Sequence, residues 1–224
     1  MKFAKDCLDV GCMTDDPEVV DFFRDEVGLG EPELLRVSST VDQYRFHLDG
    51  SIVKVNLVAG FETEHRSGYQ EVALATGAPE VTALTGPDGI SVLVGPKSPN
   101  LRNIIVVHAV PALSAAQRYY ADTLGWEVDG DHIRLGRSAV QLRRGGPDTV
   151  DMPVRGWTYL TAQVWDCDAE TEAVAHRGAT VALSPVTLGT TARISMIADP
   201  WGNQLELSQR ASLTGPLPNR PEAG

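Results

Sequence analysis

The sequence predicts an α+β fold assembled from tandem βαβββ modules. Two observations predict it. A pattern of strand, capped helix and strand pair occurs twice, about ninety residues apart, and two tight-turn motifs close corresponding stretches of the chain. Those motifs, Gly86-Pro87-Asp88-Gly89 and Asp199-Pro200-Trp201-Gly202, put proline and glycine where a hairpin turn needs them.

In the first copy, residues 8–13 read as a strand. Asp15 or Asp16 caps a helix with Pro17 in its first turn, and Gly28 ends it after Val19, Val20, Phe23 and Val27. Strands at 43–48 and 52–57 follow. A further strand at 69–75 passes almost directly to Gly77-Ala78-Pro79, so this unit lacks most of its helix before the first hairpin. The second copy opens with a strand at 104–110. Its helix starts at Ser114, runs through Tyr119, Tyr120 and Leu124, stops at Gly125, and gives way to strands at 131–135 and 139–143. The last unit has a strand at 159–164, a helix capped by Asp168 that ends at Arg177-Gly178, and the second hairpin. Four units result, about 6–60, 66–97, 102–146 and 155–210. They group as an N-terminal domain (1–97), a linker (98–102), a C-terminal domain (103–210) and a Pro-rich tail (211–224) with too little apolar content for an element of its own.

Composition limits the partners. At 224 residues and 42% apolar the chain can bury an ordinary core, and no run of uncharged apolar residues is long enough for a membrane span. Cys7, Cys12 and Cys167 are odd in number and lack metal-ligand spacing, so a reducing, cytoplasmic setting is expected. A net charge of -11 repels phosphate backbones and anionic lipid, so neither nucleic acid nor membrane is expected as a partner. The partner expected is a small molecule, and a homodimer is compatible with the sequence.

Segment 110–126, VPALSAAQRYYADTLGW, resembles the first strand-to-helix crossing of the vicinal-oxygen-chelate superfamily, whose pattern is V-x-D-l-x-x-a-x-x-F-Y-x-x-x-L-G. Segment 14–29, TDDPEVVDFFRDEVGL, looks like the same piece, and 197–207, IADPWGNQLEL, is similar to the closing hairpin D-P-x-G-N-x-x-E-L. The three occur in the right order over nearly the whole chain. This superfamily includes glyoxalases, bleomycin resistance proteins and extradiol dioxygenases. The resemblance implies two curved mixed sheets, each from a pair of modules, with helices outside and a cavity within. Strand alternation agrees with it: Leu160, Ala162 and Val164 oppose Tyr159, Thr161 and Gln163, and Leu205 and Leu207 oppose Gln204, Glu206 and Ser208.

Metal-dependent relatives hold a divalent ion with side chains from the first and last strands of paired modules. Carried over with sequential pairing, those positions are Ile105, Gln141, Tyr159 and Glu206 in the second half, and Leu8, Lys54, Glu71 and Leu93 in the first. Only Glu206 and Gln141 could act as ligands, so no metal and no other cofactor is expected, although a divalent ion is left open. Lys54 is expected to pair with Glu71. His108 lies on the helix-facing side of its strand and is expected to be structural. His65 and Arg66 fall in a loop, and His47 and His176 in surface positions.

The cup expected to hold the ligand is the C-terminal one. Its candidate catalytic residues are Glu206, a proton-transfer group, and Tyr159, an acid or hydrogen-bond donor. Its candidate binding residues are Gln141, Gln163, Thr161, Arg137, Arg143, Arg193 and Ser195, the last two facing inward if the hairpin pairs Met196 with Leu205. Three inward arginines point to an anionic or oxygen-rich ligand. Three readings follow: an isomerase or lyase acting on a carbonyl-bearing or acidic metabolite; a drug-sequestering protein that uses the cup without chemistry, with Trp126, Trp157, Trp165 or Trp201 for stacking; and an extradiol-type dioxygenase, which lacks its two histidines here.

Overall fold

The computed structural model describes residues 1–97 and 103–218; the linker 98–102 and the end of the tail lie outside the described residues. Module 1 comprises β1 (Phe3–Thr14), α1 (Glu18–Asp21, continued by a π-helical turn Phe22–Glu26), β2 (Glu33–Arg36), β3 (Val41–Leu48) and β4 (Ser51–Val58). Module 2 comprises β5 (Tyr69–Leu74), β6 (Thr82–Thr85) and β7 (Ser91–Val94), with no helix between β5 and β6. Module 3 has β8 (Ile104–Val110), α2 (Leu113–Arg118, continued by a π-helical turn Tyr119–Thr123), β9 (Glu127–Asp129), β10 (His132–Leu135) and β11 (Ser138–Arg144). Module 4 has β12 (Gly156–Val164), α3 (Cys167–His176), β13 (Thr180–Leu188), β14 (Ala192–Ala198) and β15 (Gln204–Arg210), and the chain continues into α4 (Ala211–Thr214). The fold is α+β, with two mixed sheets. Among the described residues no helix is long and apolar enough to cross a membrane.

Local chemistry explains these elements. The Asp16 carboxylate accepts from the Glu18 backbone N–H at 2.9 Å, and Val19, Val20, Phe22 and Phe23 turn into the core. Gly28 takes a φ of +76°, a left-handed value that ends the helix cheaply only at glycine. Three details differ from the sequence expectation. The cap of α3 is Asp166, which accepts from the Ala169 N–H at 3.0 Å, because Asp168 is turned toward Arg193 instead. Helix α2 begins at Leu113 rather than Ser114. The tail forms the single turn α4, since Gly215 stops it and the Thr214 hydroxyl bonds the Arg210 carbonyl.

The main correction concerns how modules pair. Halves 1–97 and 103–210 do not each close their own sheet. The eight-stranded sheet runs β13-β14-β15-β12-β1-β4-β3-β2 and joins modules 4 and 1; the seven-stranded sheet runs β6-β7-β5-β8-β11-β10-β9 and joins modules 2 and 3. Strand β1 meets β12 antiparallel, with Asp9 opposite Thr161 and Gly11 opposite Tyr159, and meets β4 parallel, with Gly11 opposite Lys54. All nine residues of β12 are buried. Polar ties join the two sheets: the Ser67 hydroxyl donates to the Trp157 carbonyl, the Tyr69 hydroxyl to that of Gln204 at 3.1 Å, and the Tyr119 hydroxyl to that of Ala198 at 3.1 Å.

This pairing makes the halves interdependent, because cutting the chain within 98–102 and separating the pieces would expose the edges of both β1 and β12. Each half expressed alone is expected to give a poorly dispersed amide NMR spectrum, and mixing the halves should restore the native one. A half that folds alone with a cooperative melt would contradict the pairing.

Candidate functional site

The inner face of the eight-stranded sheet is a cup whose floor combines the middle strands of two modules. From β1 come Asp9, Gly11 and Met13; from β4, Lys54 and Asn56; from β12, Tyr159, Thr161 and Gln163; from β15, Gln204, Glu206, Ser208 and Arg210. They meet because the registers place Gly11 beside Lys54 and Tyr159, and Thr161 beside both Asp9 and Glu206. The main cavity measures about 920 Å³, and a side compartment of about 550 Å³ shares Leu35, Thr191 and Arg210 with it.

Lys54 and Glu206 form the centre. The Lys54 ammonium donates to the Glu206 carboxylate at 3.0 Å and to the Thr161 hydroxyl at 2.7 Å, and that hydroxyl donates to the same carboxylate oxygen, Oε1, at 3.1 Å. Both side chains are nearly enclosed, with 3% of Lys54 and 12% of Glu206 exposed. Oε1 is thus fully engaged, whereas Oε2 accepts no hydrogen bond among the described residues. The Tyr159 ring lies over Gly11, where any side chain would run into it, and Lys54 passes 5.3 Å from the ring centroid. Burial, and then the Glu206 carboxylate, push the Tyr159 phenol far above its ordinary range, so it keeps its proton and remains an O–H donor. Asn56 supports it, donating to the Tyr159 oxygen at 3.1 Å while accepting from Gln43 at 2.8 Å. Asp9 has a different environment: it accepts from Gln163 at 3.0 Å, from the Ile52 N–H at 2.8 Å and from Lys5. Its oxygens are occupied, which makes it an anchor.

Among the residues singled out from the sequence, Glu206, Tyr159, Thr161 and Gln163 share this cup. The others do not. The hairpin pairs Met196 with Glu206, one step from the expected register, which turns Met196 and Ile194 inward and sends Arg193 and Ser195 to the opposite face. There Arg193 makes a two-pronged pair with Asp168 of α3 at 2.6 and 2.8 Å, and Ser195 lies 2.6 Å from the Thr171 hydroxyl. Gln141 and Arg143 lie on β11, in the other sheet. Arg137 is a surface residue bonded to Asp6 at 3.1 Å. Lys54 does not pair with Glu71; the latter accepts from Ser91 at 3.3 Å on the seven-stranded sheet.

His108 is fully buried between Tyr120, 3.0 Å from its Nδ1, and Asp199, 3.3 Å from its Nε2, and packs on the Tyr69 ring. It serves the core. His47, His65 and His176 are exposed. Trp126 and Trp157 are buried, Trp165 is exposed, and none of the four tryptophans lines the cavity. The cysteines are free and buried, and burial pushes the Cys12 thiol far up and that of Cys167 up to about 11, which suits neither to nucleophilic work.

The functional-looking residues missed from the sequence are Lys54 as partner of Glu206, Asp9, Asn56, Arg45 and Arg210. For Arg45, Lys54 and Asn56 the available signal is the polar alternation along strands 43–47 and 54–56. Regrouped by the observed pairing, the inferred ligand positions of this sheet are Leu8, Lys54, Tyr159 and Glu206. That set does not fit a divalent cation, since an ammonium offers no lone pair and its charge already sits against the only carboxylate. Among the described residues no three His, Cys, Asp or Glu side chains are grouped to hold a metal.

No sequence model of a known family matches the chain, and no curated protein matches it. Solved structures do resemble it. Glyoxalase I from Zea mays aligns over 91% of this chain and 92% of its own, with a TM-score of 0.69 and 14% identity. The cppA protein from Streptococcus pneumoniae TIGR4 aligns over 93% of this chain and 100% of its own, with a TM-score of 0.57 and 10% identity. At such identities the likeness concerns the fold.

The central pair gives a direct test by denaturant unfolding. Lys54→Met strands a buried carboxylate and is expected to cost about 3 kcal/mol. Adding Glu206→Leu should recover most of that loss, because replacing a whole buried pair by apolar groups is often nearly neutral. Single and double variants that both stay within about 0.5 kcal/mol of the wild type would show a solvent-screened pair instead.

Proposed function

We propose, from the premise that this chain has the glyoxalase fold of the vicinal-oxygen-chelate superfamily, that it is an isomerase- or lyase-type enzyme. It would move a proton on a small carbonyl-bearing or acidic metabolite in the cup shared by modules 1 and 4. The observation that carries this reading is Glu206, which lines the large cavity: one oxygen is fixed by Lys54 and Thr161, and the other has no hydrogen-bond partner among the described residues. A carboxylate held so can take a proton from the carbon beside a substrate carbonyl and return it to a neighbouring atom. Negative charge then develops on the carbonyl oxygen. The Lys54 ammonium and the protonated Tyr159 hydroxyl are the groups available to stabilise it, and neither must reorganise during reaction. Thr161 positions both members of the pair, and Gln204, which also lines the cavity, offers a further polar contact.

In this reading a built-in cation supplies the electrostatic stabilisation, and no metal or other cofactor is needed. The dioxygenase reading has little support, as no histidine among the described residues lines the main cavity. A second reading, capture without chemistry, is favoured by one observation: Met13, Met152 and Met196 all line the cavity, and thioether side chains adapt to ligands of varied shape.

Solvent-deuterium incorporation, followed by NMR on a panel of small 2-oxo and 2-hydroxy carbonyl compounds, separates the two. The enzyme reading expects exchange with at least one compound, and Glu206→Gln should slow it by roughly a hundredfold while changing affinity only slightly. Tight binding with no exchange in the wild type would support capture, and equal exchange rates in the wild type and the variant would remove Glu206 from the chemistry.

A further inference from the structure

The cup contains more positive charge than its own acids balance. Lys54 is paired with Glu206 and Lys5 with Asp9. Arg45 on β3 is only 5% exposed; its Nη1 donates to Glu33 at 3.1 Å, while its Nε is buried without a partner. Arg210, at the end of β15, makes no ion pair among the described residues, and its Nε is likewise buried and unpartnered. Both arginines line the side compartment, and Arg210 also lines the main cavity. Burial, followed by the charge of Arg210, holds the Arg45 pKa below its ordinary value, so the two guanidinium groups repel each other across this space. Among the described residues the one acid lining this compartment is Glu33, which already accepts from Arg45, so Arg210 is left without a carboxylate partner.

Gln163 adds a second vacancy. Its amide nitrogen is committed to Asp9 at 3.0 Å, which fixes the orientation of the group; its Oε1 is then buried without a donor, on a residue that lines the same compartment. Unpaired guanidinium N–H groups and an unpaired amide oxygen are costly inside a protein unless a ligand completes them.

We infer that the side compartment binds a carboxylate- or phosphate-type oxyanion of the substrate on Arg210 and Arg45, while Gln163 accepts a hydrogen bond from an O–H or N–H group of the same molecule. A guanidinium fork matches the oxygens of either anion. The inference deepens the proposed function by naming one end of the substrate, and it rests on this cup being the binding site. It places the anionic end beside Arg210 and the reacting carbon toward Glu206.

The test reads binding rather than turnover. The melting temperature of the full chain is followed in rising lactate, propionate or inorganic phosphate, with sodium chloride at matched ionic strength as the control. Lactate is expected to give a saturable rise with an affinity roughly threefold or more above that of propionate, which has the carboxylate but lacks the hydroxyl. If phosphate saturates at lower concentration than either, the oxyanion is a phosphoryl group; if lactate does, it is a carboxylate. Arg210→Gln should weaken the preferred anion by roughly tenfold or more, while the melting temperature without anion stays equal or rises as repulsion with Arg45 is relieved. No rise beyond chloride, an unchanged anion response in Arg210→Gln, or a lower melting temperature of that variant without anion would each overturn the site. Equal responses to lactate and propionate would overturn the role of Gln163. Glu206→Gln, measured alongside, should keep the anion response even if proton transfer by Glu206 proves wrong, so the two failures are distinguishable.

Discussion

The antiparallel seam between β1 and β12 brings the first strand of module 1 against the first strand of module 4. It thereby sets Lys54 on β4 against Glu206 on β15, residues 152 apart in the chain. Gly11 is essential to the geometry of this seam. With no side chain there, the Tyr159 ring can lie flat on β1 and the Lys54 side chain can cross it to reach Thr161 and Glu206. The outer strands β2, β3, β13 and β14 then curl around this floor as the walls of the cup.

A floor this polar would be destabilising if its groups were left unpaired, since each buried charge needs a partner and each amide its full set of bonds. Most are satisfied within the protein. Asp9 is saturated by Gln163, Ile52 and Lys5, and Asn56 is held between Gln43, Tyr159 and the Cys12 carbonyl. Among the described residues the exceptions include Arg45 Nε, Arg210 Nε and Gln163 Oε1, buried without a partner, and Glu206, whose hydrogen bonds all fall on Oε1. They belong to residues that line connected cavities and differ in kind, acceptors on Glu206 and Gln163 and donors on Arg45 and Arg210.

How much of this was legible in the sequence depends on the range of the interaction. Strands, turns and the missing helix of module 2 follow from local patterns of glycine, proline and alternation. The inward direction of Tyr159, Thr161, Gln163 and Glu206 follows from the period-two rule within single strands. Arg193 and Ser195 were misplaced because the hairpin register could differ by one residue, and one residue reverses every side chain. Gln141, Arg143 and Arg137 were misplaced for a non-local reason. Pairing module 1 with 2 or with 4 uses the same strands, faces and turns, so no local pattern distinguishes the two arrangements. The strand and face of Lys54 therefore follow from the sequence, whereas its partner, Glu206 rather than Glu71, does not.

Interstrand proton NOEs in the assigned chain report whether modules 1 and 4 close the cup around Lys54 and Glu206. Cross-peaks are expected from β1 to β12, linking Asp9 with Thr161 and Gly11 with Tyr159, together with peaks joining β5 to β8. Cross-peaks that instead join β1 to β5 and β8 to β12 would mean that each half closes its own sheet, and Lys54 would then lie in a different cup from Glu206.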